Sequence, residues 1–162
     1  MTEAGVRRVL VTGMSGVGKS ALLDELAIRG HRVVDTDYDG YAESVGGEQL
    51  WREGRIEQLL SEHRAGLLFV SGTTRNQVRF YPRFDHIVLL SAPVSVLVER
   101  LGTRTNNPYG KAPAELAETL EFQQTIEPLL RRSASLEVDT RASVGEVADT
   151  VLERVCQPQD PR

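Results

Sequence analysis

The feature that most constrains this chain is a glycine-rich segment between a predicted strand and a predicted helix. Residues 6–12 form a β-branched run, typical of a buried strand. The segment that follows reads Gly13-Met14-Ser15-Gly16-Val17-Gly18-Lys19-Ser20. Apolar residues at helical spacing continue from there to Arg29, and Gly30 is placed to end the helix. The sequence therefore predicts a strand, a tight loop and a helix in immediate succession.

The spacing of the glycines and the lysine in this loop predicts phosphate binding. Glycines let the backbone curl so that its N–H groups point inward and form an anion nest. Gly18 opens the helix, whose positive end would face the anion. Lys19 would contact β- and γ-phosphates, and the Ser20 hydroxyl would ligate Mg²⁺. We therefore predict a site for ATP with Mg²⁺, built from Gly13, Met14, Ser15, Gly16, Val17, Gly18, Lys19, Ser20 and Ala21.

The order of predicted elements indicates the fold class. Five short apolar runs alternate with helical patterns, at residues 6–12, 31–34, 67–70, 86–90 and 136–138. Such alternation is typical of an α/β fold, here a five-stranded parallel sheet with helices on both faces. We expect a single domain over residues 1–156 and a flexible tail at 157–162. Within the domain we expect an acceptor-binding insert at about 38–66 and a lid at about 103–112.

Two aspartates follow the second predicted strand, where ligands of parallel sheets bind. Asp35 and Asp37 are two residues apart in an extended segment, so their side chains point the same way. One could hold a water on Mg²⁺, and the other could accept a proton from an acceptor hydroxyl. The alternative is an acidic pair that caps a turn.

The insert contains aromatic and basic residues that suit an acceptor site. Residues 38–47 predict a loop or a short broken helix, and 48–63 carry helical spacing. Arg52 and Arg55 could grip an anion, and the aromatic side chains could stack on a ring. The simpler interpretation is that Trp51 belongs to the core and the arginines to the surface.

The phosphate loop together with Val34-Asp35-Thr36-Asp37 resembles the small P-loop kinases, a group that includes shikimate kinase and adenylate kinase. The Asp-x-Asp segment is similar to that of shikimate kinases. This resemblance implies that Asp35 helps to place Mg²⁺ and that Asp37 contacts the acceptor hydroxyl.

Two further segments look more like adenylate kinase. Residues 98–104 and 107–111 are similar to the segment that enters its lid. The resemblance implies that Arg100 stacks on the base, that Arg104 contacts the transferring phosphate, and that Lys111 lies near the lid turn. The alternative is a solvated helix end, where cations suit the helix dipole.

The segment after the third predicted strand, Ser71-Gly72-Thr73-Thr74-Arg75, resembles the acceptor-contacting segment of adenylate kinase, which places Gly72 and Arg75 at the acceptor. Ser71 departs from the acidic residue of that family. Metal placement would then rest on Ser20 and Asp35.

Composition narrows the possible partners. The net charge is −4, from 19 basic and 23 acidic residues, which disfavours non-specific nucleic-acid or anionic-membrane binding. No apolar run approaches the roughly 18 residues of a membrane span, and no signal-peptide pattern opens the chain. We therefore expect a cytoplasmic protein, and nothing in the sequence demands more than a monomer.

These observations favour an ATP-dependent kinase that phosphorylates a small molecule, with a hydroxyl acceptor preferred. Lys19, Asp37 and Arg104 would be catalytic, and the acceptor would contact Asp37, Arg52, Arg55, Gly72 and Arg75. One alternative is a nucleoside monophosphate kinase. Another is a nucleotide-binding switch or NTPase that acts on a protein, although a guanine-specifying Asn-Lys-x-Asp is absent. A third is a protein that binds ATP and transfers nothing.

Overall fold

The computed structural model describes residues 6–14, 17–103 and 113–157 of the chain. Its strands are β1 (Arg7–Thr12), β2 (Arg32–Asp35), β3 (Ala42–Val45), β4 (Glu48–Trp51), β5 (Leu67–Ser71), β6 (His86–Ser91) and β7 (Leu136–Asp139). Five of these form a sheet in the order β2-β5-β1-β6-β7, and every neighbouring pair is parallel. The predicted five-stranded parallel sheet is confirmed.

The helices are α1 (Lys19–Ile28), α2 (Glu53–Glu62), α3 (Val94–Thr103), α4 (Pro113–Thr125), α5 (Glu127–Ser133) and α6 (Val144–Val155). A 3₁₀ helix spans Arg75–Arg83, which the sequence patterns did not predict. Ser143 caps α6 by accepting a hydrogen bond from the Glu146 backbone N–H, as its spacing predicts. Pro128 lies in the first turn of α5, where its missing N–H costs nothing, and it separates α5 from α4.

The central strand β1 shows why helices cover both faces of the sheet. Val9 and Val11 belong to one apolar cluster, formed with α1 and α6. Leu10, between them, belongs to a second cluster on the opposite face, formed with α2 and the 3₁₀ helix. All three are fully buried. A strand buried on both faces is a continuous apolar run, which is how residues 9–11 appear in the sequence.

The predicted helix over residues 48–63 is wrong in its first turn. Glu48–Trp51 is strand β4, which pairs antiparallel with β3, and the helix α2 begins only at Glu53. The loop predicted at 38–47 correspondingly contains β3. Gly46 and Gly47 join the two strands with φ of 60° and 83°, the conformation of a type I′ hairpin turn. This two-glycine turn is the sequence signal that outweighs the helical spacing of the apolar residues.

Candidate active site

The glycine-rich loop follows the carboxyl end of β1, the central strand of the sheet, which lies between β5 and β6. Gly13 has a φ of +149°, and a Cβ there would lie 2.6 Å from the Leu90 carbonyl oxygen and 2.9 Å from Val17 Cγ1. Gly18 has a φ of +108° directly before α1. Both positions therefore require glycine, one mainly because of crowding and the other because of its backbone conformation. Ser15 and Gly16 lie outside the described residues.

The Lys19 ammonium lies against carbonyl oxygens of this loop. Its Nζ donates hydrogen bonds to the Gly13 oxygen at 2.6 Å and to the Met14 oxygen at 3.2 Å. The Thr73 hydroxyl, from the turn after β5, donates to the same Gly13 oxygen at 2.6 Å. The lysine and the β5 turn thus meet at one carbonyl group, which places Thr73 beside the mouth of the loop.

Ser20 and Asp35 form the polar contact between α1 and β2. The Ser20 hydroxyl donates to Asp35 Oδ2 at 2.9 Å, and the Asp37 backbone N–H donates to Asp35 Oδ1 at 3.1 Å. A hydroxyl and a carboxylate at this separation are hard oxygen donors, the kind that Mg²⁺ takes together with phosphate oxygens and water. The donor set therefore fits Mg²⁺, with Ser71 buried at the end of the adjacent strand in place of a carboxylate.

The Asp37 carboxyl has a pKa raised above its usual value. Desolvation is the larger cause, and the negative charge of Asp35 adds to it, while the positive charge of Lys19 opposes both. The side chain still reaches solvent at the rim of the site, so the surrounding protein removes only part of its water. A carboxylate with a raised pKa is a better proton acceptor than an ordinary aspartate.

A buried hydrogen-bond chain fixes the segment that carries both aspartates. Trp51 Nε1 donates to the Thr36 hydroxyl at 2.9 Å, and Thr36 donates in turn to the Ser71 oxygen at 2.6 Å. Trp51 is only 1% exposed, as the simpler interpretation predicts. A Cβ at Gly72 would lie 2.6 Å from Trp51 Cζ2, so the indole packs directly on that glycine. Sequence reasoning missed this chain because its three residues come from separate elements.

A second polar cluster joins the phosphate loop to the turn after β7. Arg100 Nη1 donates to the Val17 oxygen at 3.1 Å and to Thr140 Oγ1 at 2.8 Å, and Nη2 donates to the Thr140 oxygen at 2.5 Å. Thr140 Oγ1 donates to the Val17 oxygen at 2.6 Å. An adjoining cavity of about 260 Å³ is lined by Gly18, Ala21, Leu22, Arg100, Thr140, Ala142, Val144 and Val147. Sequence reasoning found Gly18, Ala21 and Arg100 but missed Thr140 and its neighbours.

The arginines predicted to hold the acceptor lie in different places. Arg75 is paired with Glu48 at 2.9 Å on the rim of a cavity beside the phosphate loop. Arg55 instead donates to the Asp39 oxygen at 3.2 Å and lines a separate depression with Arg32, which begins β2 at the end opposite Asp35. The Arg52 side chain is exposed at the start of α2. The structure thus brings Arg75 to the loop and leaves Arg55 away from it.

Arg104 and Lys111, the basic residues predicted to act from the lid, lie outside the described residues. Among the described residues, no helix has both the length and the apolar character needed to cross a membrane.

The parallel sheet, the phosphate loop at its carboxyl edge and the Ser20–Asp35 contact define a small P-loop protein with the architecture of the shikimate kinase and adenylate kinase group. This architecture implies nucleotide binding. The sequence model of one family, the AAA domain, matches residues 9–121, and the chain belongs to that family.

A curated relative supports the nucleotide-binding class. The chain is 26% identical over 162 residues to a protein of Halorhodospira halophila described as a nucleotide-binding protein. The match covers 94% of this chain and 55% of the relative, so the chain spans about half of that protein's length.

Solved structures of small kinases share the fold. Shikimate kinase from Acinetobacter baumannii, in complex with shikimate, superimposes with a TM-score of 0.68 at 19% identity, covering 93% of each chain. Shikimate kinase from Bacteroides thetaiotaomicron gives 0.65 at 16% identity, covering 92% of this chain and 98% of that one. A gluconokinase from Sinorhizobium meliloti 1021 gives 0.58 at 19% identity, covering 92% and 91%. At these identities the likeness establishes the fold alone.

Proposed function

We propose that this protein is an ATP-dependent kinase that transfers the γ-phosphoryl group to a hydroxyl of a small molecule. The observation that carries the proposal is the cluster of Ser20, Asp35 and Asp37 at the phosphate loop. Ser20 Oγ and Asp35 Oδ2 are 2.9 Å apart. The pKa of the Asp37 carboxyl is raised by desolvation and by the negative charge of Asp35. A candidate metal-binding pair beside a candidate base suits transfer to an alcohol.

The loop backbone and Lys19 would hold the triphosphate. The Lys19 ammonium, which contacts the Gly13 and Met14 oxygens, would turn onto the β- and γ-phosphates, since charged phosphate oxygens are stronger acceptors than carbonyls. Ser20 and Asp35 would hold Mg²⁺, directly or through water. The bound metal would neutralise part of the charge on the phosphates.

In the transfer step Asp37 would orient the acceptor and take its proton. The acceptor oxygen would bond to the γ-phosphorus as the bond from that phosphorus to the β,γ-bridging oxygen breaks, which releases ADP. The proton of the hydroxyl would pass to the Asp37 carboxylate and then to solvent. Arg104, predicted to contact the transferring phosphate, would stabilise charge on it.

The base of the nucleotide would lie in the cavity of about 260 Å³ beside Gly18. Arg100 lines this cavity and donates hydrogen bonds to Val17 and Thr140, and its guanidinium would stack on an adenine. Arg75 and Gly72 would contact the acceptor. We assign Arg52 and Arg55 to the outer part of the 38–66 insert, and the segment at 103–112 to a lid.

The proposal is tested by incubating the protein with γ-labelled ATP, Mg²⁺ and a small-molecule extract of the source cells, with Lys19→Ala as the control. A labelled small molecule that appears with the native protein and not with the variant would support a kinase. Label found only as inorganic phosphate would overturn transfer and favour an NTPase switch. Label that stays in ATP would favour a protein that binds nucleotide and transfers nothing.

A further inference from the structure

The largest of the described cavities is lined by Met14 of the phosphate loop and by Thr73 of the turn after β5. Its volume is about 490 Å³, within the range of small-molecule sites. Thr73 lines it, and the Thr73 hydroxyl and the Lys19 ammonium both bond to the Gly13 oxygen, each at 2.6 Å. A molecule in this cavity therefore lies next to the group that would hold the γ-phosphate.

The walls combine an apolar face with polar side chains: Thr73, Thr74, Tyr81 and Ser133 carry hydroxyl groups, and Glu48 and Arg75 carry charges. Met14 from the phosphate loop, Val78 from the 3₁₀ helix and Leu129 from α5 line the cavity, together with Tyr81, Ile126 and Leu130. Val78 is 56% exposed and Leu129 is 51% exposed, although both are aliphatic. Exposed aliphatic groups that converge on one concave surface are the usual mark of a ligand site.

Two charged side chains, Arg75 and Glu48, lie at the rim of this cavity. Arg75 Nη2 and Glu48 Oε1 are 2.9 Å apart, and their side chains are 75% and 44% exposed. An exposed pair of this kind adds little to stability, so an anionic group of a ligand can replace or share the Glu48 contact to Arg75 at little cost. The cavity thus offers an apolar face and, at its rim, a cation that is paired with an exposed carboxylate.

We propose that the acceptor is an amphipathic hydroxy acid, with an aromatic or branched aliphatic body against Met14, Val78 and Leu129 and its acid group at Arg75. This inference rests on the proposed kinase function and names its substrate class. A polyhydroxylated acid would place no apolar group against Met14, Val78 and Leu129, so it would gain less free energy from burial than an amphipathic acid.

The first test measures phosphate transfer from γ-labelled ATP to two sets of acceptors. One set contains aromatic and branched-chain hydroxy acids, such as 3-phenyllactate, and the other contains gluconate and shikimate. The variants are Leu129→Gln and, as a matched control, Ile28→Gln, since Ile28 is an exposed aliphatic residue on α1 that lines none of the described cavities.

We expect transfer to the amphipathic set, with a KM for the acceptor that rises about tenfold in Leu129→Gln and stays unchanged in Ile28→Gln. The KM for ATP should not change in either variant. Transfer to gluconate or shikimate with a KM that Leu129→Gln leaves unchanged would overturn the inference and leave the kinase proposal standing.

A second readout does not depend on transfer. The dye 8-anilinonaphthalene-1-sulfonate carries apolar rings and one anion, and it fluoresces when its rings are buried. We expect it to bind the native protein and Ile28→Gln, to be displaced by 3-phenyllactate, and to bind Leu129→Gln at least about tenfold more weakly. Equal binding to all three proteins would overturn the inference. Selective binding without transfer to any acceptor would support the ligand class while the kinase proposal fails.

Discussion

The nucleotide side and the acceptor side of this site are built by different means. On the proposed nucleotide side, most of the groups come from one local segment, whose described residues are 13–14 and 17–20 and in which Gly13 and Gly18 have positive φ. On the acceptor side, the aspartate segment is fixed by a hydrogen bond from Trp51, which lies on a separate hairpin. A local motif is robust to changes elsewhere, whereas an assembled surface depends on each element that packs against it.

The largest effect on phosphate transfer should come from removing Lys19, the lysine of the phosphate loop. Lys19→Ala should lower transfer about 10²- to 10³-fold, because the charge that faces the γ-phosphate in the transition state is lost. Isothermal titration should also show weaker ATP binding, and far-UV circular dichroism should show an intact fold. Native transfer rates in this variant would remove the loop from the mechanism.

Asp37→Asn should impair the acceptor side of the site and leave ATP binding on the nucleotide side unchanged. Transfer should fall about a hundredfold, because the amide cannot take the acceptor proton, while ATP binding stays unchanged. Steady-state kinetics and titration calorimetry measure the two effects. If ATP binding is lost instead, Asp37 holds the nucleotide and the division of roles between the two aspartates is wrong.

The raised pKa of Asp37 also predicts two pH effects. Asp37 must be ionised to accept a proton, so transfer should decline with falling pH at a higher pH than an ordinary aspartate would give.

A folded-state pKa above the unfolded value means that ionisation disfavours the fold, so stability falls as pH rises through that interval. Thermal unfolding at neutral pH should therefore show Asp37→Asn slightly more stable than the native chain.

Gly72→Ala should disturb the acceptor side, which is assembled from separate elements, and leave the nucleotide side intact. The new Cβ would lie 2.6 Å from Trp51 Cζ2, so we expect a loss of about 1–3 kcal/mol in the free energy of unfolding. Phenylalanine lacks the indole atoms nearest to Gly72, so the same change in a Trp51→Phe background should cost less. A double-mutant cycle by urea unfolding measures this difference. Equal costs in both backgrounds would show that the indole does not limit position 72.

Trp51→Phe alone should have the smallest effect on transfer. It removes one buried hydrogen bond, worth about 1 kcal/mol, and loosens Thr36 between the two aspartates. We expect a several-fold loss in kcat/KM for the acceptor with an unchanged Kd for ATP. Thr36→Ser, which keeps the hydroxyl, is the matched control and should retain activity. Parallel losses for ATP and acceptor would indicate general destabilisation instead of a positioning role.

The sequence determined the fold class and the position of the phosphate loop between β1 and α1, because both depend on local patterns. The apolar runs of β1 and β6 and the glycine positions of the loop constrain the backbone wherever they occur. The capping serine of α6 is equally local. The position of Asp35 at a strand end was also visible, but the extended segment expected to continue to Asp37 is wrong: residues 36–37 form a turn, and Asp35 accepts the Asp37 N–H, as the turn-capping alternative predicts.

Only the tertiary structure decided the acceptor side. The β3–β4 hairpin has a local signal in the Gly46-Gly47 turn, but its packing against Thr36 and Gly72 has none. The contacts of Trp51 with Thr36, and of Arg100 with Thr140, join residues that are distant along the chain. Such contacts leave no periodicity in the sequence, because they arise when separate elements pack on one sheet.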